Sequence, residues 1–450
     1  MRKIKVGFIS LGCSKNQIDT EIMLAHLDSA GYTVVAEETE ADVIIINTCA
    51  FIEEAKKEAI DNILDIAWLK KHRSLKKIIV TGCLAERYRE QVIEQMPEVD
   101  GLLGVGSIHN IAEAVKKCLE GETYMSFEDK EALALGGDRI LTTPNYAAYL
   151  KIAEGCDNRC TYCAIPSIRG RFRSRTIEDI VAEAVLLDRD GCKELSLIAQ
   201  DTSRYGLDLY GKYALPELIR AICQSTSIPR IRLLYCYPDK ITNELVSEIA
   251  NNPRVVKYID IPIQHINDDI LKAMNRHGGS DIIKDAVKRL REAVPGIVLR
   301  TTVIVGFPGE TEEQFEQLCD YIAETKFERL GAFTYSREED TEAYDLPDQI
   351  DEQVKQDRYD KITALAAEIS ERNCKKKKGK VLNVLCEGYD GALGGWVGRS
   401  EGEAPDVDGK IFFDIPSKDG LHKEGEFIDV KITETYDYDL VGRSVKPKKA

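Results

Sequence analysis

Three apolar, β-branched runs in the first hundred residues all end in cysteine: KVGFISLGC (5–13), ADVIIINTC (41–49) and KKIIVTGC (76–83). Runs that stay apolar without alternating suit strands buried on both faces, which means a parallel sheet covered by helices. Helical periodicity fills the intervals, in DTEIMLAHLDSAG (19–31) with its glycine stop and FIEEAKKEAIDNILDIAWLKK (51–71). A doubly wound α/β domain over residues 1–140 is therefore expected. Open parallel sheets bind ligands outside the carboxyl ends of their strands. If these three strands are near neighbours, Cys13, Cys49 and Cys83 converge on one crevice. A single buried cysteine is an ordinary small apolar residue; three at the same position of successive strands point to chemistry.

From about residue 146 the strand–helix alternation resumes and repeats six times. The candidate strands are YLKIAEGC (149–156), ELSLIAQD (194–201), RIRLLYC (230–236), YIDIPIQH (258–265), IVLRTTVIVG (297–306) and ERLGAFTYS (328–336). Six βα units over 141–375 suit a partial (β/α)6 barrel, shorter than the usual eight. Cys156, Gln200–Asp201, Gln264–His265 and Tyr335–Ser336 fall at strand carboxyl ends, the rim where barrels carry their chemistry. A lysine run at 375–378 marks a boundary, and residues 376–450 change character. Glycine and short alternating stretches (KVLNVLCEG, KIFFDI, EFIDVKIT) there predict a small all-β, OB-like barrel.

Thirteen cysteines without a leader-like N-terminus argue against a disulfide framework and for metal or catalysis in a reducing compartment. No apolar run approaches the roughly 18 residues of a membrane span, so a soluble, cytoplasmic protein with no membrane partner is expected. The net charge of −16 disfavours nonspecific nucleic-acid binding and favours a basic partner.

The stretch EGCDNRCTYCAIPSIRG (154–170) places Cys156, Cys160 and Cys163 at offsets of four and three. Structural zinc sites close with four ligands, usually arriving as two pairs. A four-iron cluster normally takes four thiolates, so three leave one iron free to bind a small molecule. This C-x-x-x-C-x-x-C loop, with Tyr162 between its last two cysteines, resembles the radical S-adenosylmethionine superfamily. That resemblance implies that the open iron chelates S-adenosylmethionine and that an electron from the cluster releases a 5′-deoxyadenosyl radical.

The whole chain resembles the methylthiotransferase family: a three-cysteine N-terminal domain, a radical S-adenosylmethionine barrel and a C-terminal TRAM domain. Its anchors are SLGCSKNQIDTE (10–21), NTCAFIEEA (47–55), TGCLAERY (81–88), the 154–170 loop and VGFPGETEE (305–313). The resemblance implies two 4Fe-4S clusters. One, on Cys156, Cys160 and Cys163, makes the radical; the other, on Cys13, Cys49 and Cys83, presents the sulfur that is methylated and inserted. Contributions to S-adenosylmethionine binding are expected from Gln200, Asp201, Gln264, His265, Gly306 and Glu310. Arg169, Arg171, Arg173 and Arg175 either hold an anionic group or form salt bridges near a helix start. The cysteines at 118, 192, 223, 236, 319, 374 and 386 are read as structural.

Family members divide between tRNA adenosine and a ribosomal-protein aspartate. Lys15-Asn16, the Ala-Gln-Asp of LIAQDTSRYG (197–206), the Gln-His of PIQHINDDILKAMNR (262–276) and the ending TETYDYDLVG (433–442) resemble the second, RimO-type branch. Residues 381–440 hold fourteen Asp/Glu against five Lys/Arg. An RNA-gripping domain should be basic, so this acidity favours a basic protein partner within the roughly 8 Å Debye length. The expected reaction is methylthiolation at the β-carbon of an aspartate on small-subunit ribosomal protein S-twelve, with a low-potential electron donor. A tRNA adenosine methylthiotransferase is the alternative, and a noncatalytic iron–sulfur carrier or a zinc-binding RNA module are readings of another class.

Overall fold

The protein is described by a computed structural model that covers residues 3–133, 135–418 and 420–445. Its first sheet comprises β1 (Lys5–Ser10), β2 (Thr33–Val35), β3 (Val43–Thr48), β4 (Lys77–Gly82), β5 (Gly101–Leu103) and β6 (Tyr124–Ser126). All six strands are parallel, in the order β2-β1-β3-β4-β5-β6. The cysteine-ended runs are β1, β3 and β4, and they lie side by side. All six residues of β3 are buried, as an unalternated run requires. Ile18, Ile22, Met23 and Leu27 of helix Ser14–Ser29 cover one face with Ile111 and Val115. Ala59, Ile63 and Ile66 of helix Glu53–His72 cover the other. The sheet is therefore doubly wound, and β2, β5 and β6, three residues each, extend its edges.

Two short strands, β8 (Ala153–Glu154) and β9 (Arg173–Ser174), pair antiparallel just after β7 (Ala147–Lys151). They close the base of the loop that carries the second cysteine trio. The six predicted βα strands are β7, β10 (Glu194–Ile198), β11 (Arg230–Leu233), β12 (Val255–Asp260), β13 (Val298–Val305) and β14 (Arg329–Thr334). They form one parallel sheet in the order β14-β13-β12-β11-β10-β7, an open barrel whose ends, β7 and β14, do not pair. Helix Glu352–Lys375 follows and ends inside the lysine run.

The last strands are β15 (Val381–Asp390), β16 (Gly395–Arg399), β17 (Ile411–Phe413), β18 (Phe427–Thr435) and β19 (Leu440–Ser444). They close a five-stranded barrel around Val384, Trp396, Phe413, Val430 and Ile432. This barrel docks on the amino-terminal ends of the central strands. Arg399 pairs with Glu194, the first residue of β10, at 2.7 Å, while Glu403 pairs with Arg329, the first residue of β14, at 3.0 Å. Arg232 also meets Glu194, and the guanidinia together hold that buried carboxyl down to about 2 although burial alone would raise it. Part of the acidity expected to face a partner is spent here. Glu387 pairs with Arg399, Asp406 and Asp408 accept from Tyr149 and Tyr258, and Glu403 is buried. Glu424, Glu426, Asp429, Glu434 and Asp437 remain exposed. Among the described residues no helix is long and apolar enough to cross a membrane.

Candidate functional site

Cys49 and Cys83 follow directly on β3 and β4, and Cys13 caps the helix that leaves β1. Adjacent parallel strands deliver their carboxyl ends to one edge, so the three thiols share that edge. Their closeness is visible at Gly12, whose φ is +89°. A Cβ there would lie 2.7 Å from Cys49 Cβ and 3.0 Å from its Sγ, so only glycine lets the Cys13 loop pass. Burial pushes the Cys83 thiol up to about 12; Arg169 opposes this, and Cys49 and Cys13 add to it. Cys49 is raised for the same first reason.

The second trio lies in the loop after β7. Gly155 has φ +76°, and a Cβ on it would meet the Arg171 carbonyl oxygen at 2.1 Å, so the turn into Cys156 is open only to glycine. Asn158 donates to Asp201 at 2.9 Å and accepts from Lys240 at 3.0 Å. Thr161 donates to the Ala273 carbonyl at 2.8 Å, and Cys160 Sγ lies 3.1 Å from Tyr237 Oη. The Arg276 guanidinium stacks 4.0 Å over the Tyr237 ring. Cys156, Cys160 and Cys163 line one cavity of about 250 Å3 with Arg159, Arg171 and Asp340. Burial raises the thiols of Cys156, to about 11, and of Cys163.

Arg169 joins the two trios. It leaves the second trio's loop on helix Ile165–Arg169, is buried, and donates to Asn16 Oδ1 at 2.5 Å and to Asp19 at 2.8 Å. Its other contacts are Glu154 at 3.1 Å and Cys83 Sγ at 3.7 Å. Lys151 completes the seam, 2.8 Å from Asp19 and 2.9 Å from Glu154. Burial would raise the Glu154 carboxyl, but Lys151 and Arg169 outweigh it and hold it well below the usual range. Of the other arginines, Arg175 pairs with Asp179 and Glu183, Arg173 donates to backbone carbonyls at 130, 131 and 133, and Arg171 borders the cavity.

The residues expected at the cofactor fall into two groups. Gln200 and Gln264 stand at the carboxyl ends of β10 and β12, each with a buried side-chain oxygen that has no hydrogen-bond partner. Gln264 also has φ +68°, strained for a residue with a Cβ. Asp201, by contrast, is saturated by Asn158, Ser203 and Lys240. His265 is fully buried; its Nδ1 accepts from Asn267 N and its Nε2 lies 3.0 Å from Glu310. Glu310 also accepts from Gly306 N and from Arg358 at 2.9 Å.

Asn16 was named in the sequence only with Lys15 as a branch marker, and Asp19, Glu154, Asn158, Tyr237 and Arg276 were not named individually. All but Tyr237 lie within motifs quoted for the resemblance. Among the described residues no three His, Cys, Asp or Glu are set to hold a single metal ion, so the donor chemistry has to decide what fits. Three thiols per site, two of them buried in each, without the fourth ligand of closed zinc, together with two orphaned acceptors at the ends of β10 and β12, fit a four-iron cluster with an open position and a polar cosubstrate.

Residues 5–104 match the Uncharacterized protein family UPF0004, 150–322 the Radical SAM superfamily and 379–445 the TRAM domain. The ribosomal protein uS12 methylthiotransferase RimO of Thermoanaerobacter sp. (strain X514) is 50% identical over 438 residues, 97% of this chain and 99% of that one. The protein of that name from Pelotomaculum thermopropionicum is 48% identical over 445 residues, 98% and 99% of the two chains. Among solved structures, the radical S-adenosylmethionine methyltransferase TsrM from Kitasatospora setae, with cobalamin and a 4Fe-4S cluster bound, aligns with a TM-score of 0.56. Its identity is 15%, over 74% of this chain and 75% of that one, which shows a shared fold.

Proposed function

The chain belongs to the RimO family of ribosomal protein uS12 methylthiotransferases, and we propose that it transfers a methylthio group to the β-carbon of an aspartate on that small-subunit protein. The observation that supports this is two three-thiol sites on one seam, where the buried Arg169, at the end of the helix that leaves the second trio's loop, reaches Cys83 Sγ of the first. Two 4Fe-4S clusters and S-adenosylmethionine supply the radical and sulfur chemistry when bound.

The protein's part is to hold and orient. Cys156, Cys160 and Cys163 take the radical-generating cluster, and Cys13, Cys49 and Cys83 the sulfur-presenting one. Gln200 and Gln264 offer their orphaned oxygens to S-adenosylmethionine. Asp201, through Asn158, fixes the cysteine loop, and Gly306, His265 and Glu310 fix the rim beside it. Positioning of this kind substitutes for a bimolecular encounter. The working units are residues 1–140, 141–375 and 376–450. The exposed carboxylates of the last unit attract the basic ribosomal protein, a low-potential donor reduces the clusters, and the reaction takes place in the cytoplasm.

The test is anaerobic reconstitution with iron and sulfide, reduction, and addition of S-adenosylmethionine with either the ribosomal protein or unmodified tRNA. A gain of about 46 Da on one aspartate, the net exchange of hydrogen for SCH3, supports the reading. The same gain on tRNA adenosine with the protein untouched overturns the substrate. Clusters that load without cleaving S-adenosylmethionine overturn catalysis altogether and leave an iron–sulfur carrier.

A further inference from the structure

The seam between the two thiol trios contains one cation too many. Its buried carboxylates, Asp19 and Glu154, are matched by Lys151 and Arg169. Glu21 is taken by Arg139 at 2.7 Å. Asp260 accepts from the Tyr235 amide at 3.0 Å and from Arg300 at 3.2 Å. Lys15, two residues after Cys13, is only 5% exposed, and among the described residues it makes no ion pair or side-chain hydrogen bond. Its ammonium rests 3.0 Å from the centroid of the Tyr235 ring, just past the carboxyl end of β11.

A lysine buried without an anion is costly, and an aromatic face offsets only part of that cost. Such a group persists where an anion arrives from outside. A second orphan points the same way: Ser14 Oγ, on the first turn of the same helix, is buried with no partner. The amino end of a helix carries partial positive charge and unpaired N–H groups. A cation held against the barrel's Tyr235 thus stands next in sequence to an unpartnered buried hydroxyl, on the first turn of the helix that follows Cys13. The carboxylates named above are already paired.

Building on the proposed function, we propose that Lys15, with Ser14 and the first turn of their helix, forms the site that receives the side-chain carboxylate of the target aspartate. The β-carbon to be modified is bonded directly to that carboxylate. Fixing the carboxylate on the Cys13 loop therefore fixes the reacting carbon beside the sulfur-presenting trio while leaving it open to the barrel side. The same contact makes the enzyme select an acidic residue, because a neutral amide in its place leaves the ammonium buried and unpaired.

The experiment compares kcat/KM for the ribosomal protein and for its version with the target aspartate replaced by asparagine, using wild type, Lys15→Met and Lys15→Arg holoenzymes of measured iron content. Wild type is expected to prefer aspartate on the order of 100-fold, the scale of a buried charge contact left unpaired. Lys15→Met is expected to lose about that factor on aspartate and to bring the preference close to one, and Lys15→Arg to keep a preference. If Lys15 only balances cluster charge, Lys15→Met will change iron content or cluster potential and keep the wild-type preference, which overturns the inference. A wild type that does not discriminate overturns it without recourse to any variant, so a Lys15→Met protein that fails to load iron does not block the test. A wild type that modifies neither protein overturns the proposed function itself, a separate outcome.

Discussion

Replacing Arg169 with methionine removes the side chain that runs from the second trio's loop to Cys83, Asn16 and Asp19. The shape of its stem is kept, but Asp19 and Glu154 are left sharing Lys151 as their contact cation, so a buried carboxylate loses its partner. Breaking a buried ion pair by deleting one partner costs about 3–5 kcal/mol. With a urea slope of about 2 kcal/mol/M, the unfolding midpoint of the N-terminal unit should fall by about 2 M. Trp68 lies in that unit and Trp396 in the C-terminal barrel, so tryptophan emission read beside a single-tryptophan Trp396→Phe background isolates the transition. The pH dependence has a definite sign. Glu154 is depressed in the folded state, so its contribution is full above the ordinary glutamate pKa of about 4.3 and is lost as pH falls. Without Arg169 the depression shrinks, and acid unfolding should begin closer to neutrality. A variant whose midpoint and acid limb match wild type would refute the view that this seam couples the two sites.

Three other outcomes follow from the geometry. Cys83→Ala should halve the iron bound and keep reductive cleavage of S-adenosylmethionine, whereas Cys160→Ala should halve the iron and abolish cleavage; equal effects of the two on cleavage would erase the division of labour between trios. Gly155→Ala forces a Cβ to within 2.1 Å of the Arg171 carbonyl at φ +76°, so it should cost at least about 1–3 kcal/mol of local strain and show as loss of the second cluster's absorbance with the first retained. Glu194→Gln removes the carboxylate that burial would raise but Arg232, Arg399 and Arg230 hold to about 2 against a reference of 4.5. At 1.36 kcal/mol per unit that is about 3 kcal/mol, present near neutrality and lost as pH drops from about 4.5 towards 2, and the C-terminal barrel should become cleavable near residues 375–380 in limited proteolysis.

Much of this architecture was legible in local pattern. Uninterrupted apolar runs announced β1, β3 and β4, because a strand buried on both faces has no polar position to spare. The six central strands were equally plain, and the close spacing of Cys156, Cys160 and Cys163 put them on one cavity, since residues four and three apart on one loop can hardly avoid each other. The strands that escaped, β2, β5, β6, β9, β16 and β19, are two to five residues long; they hold their place through pairing with a neighbour and not through a period of their own. Tertiary structure alone decided which charges meet. Arg169 and Asn16 stand 153 residues apart, and Arg399 and Glu194 stand 205 apart. No spacing rule reaches that far, because a charged residue in a sequence carries no mark of its partner. For the same reason VGFPGE pointed to a cofactor contact without showing that Glu310 also meets His265 and Arg358, which only the fold reveals. Lys15 could be seen in its motif from the start, but that it is buried without an anion, against Tyr235 of another domain, is a property of the assembled seam: an unpaired charge exists only once every other charge around it has found its partner.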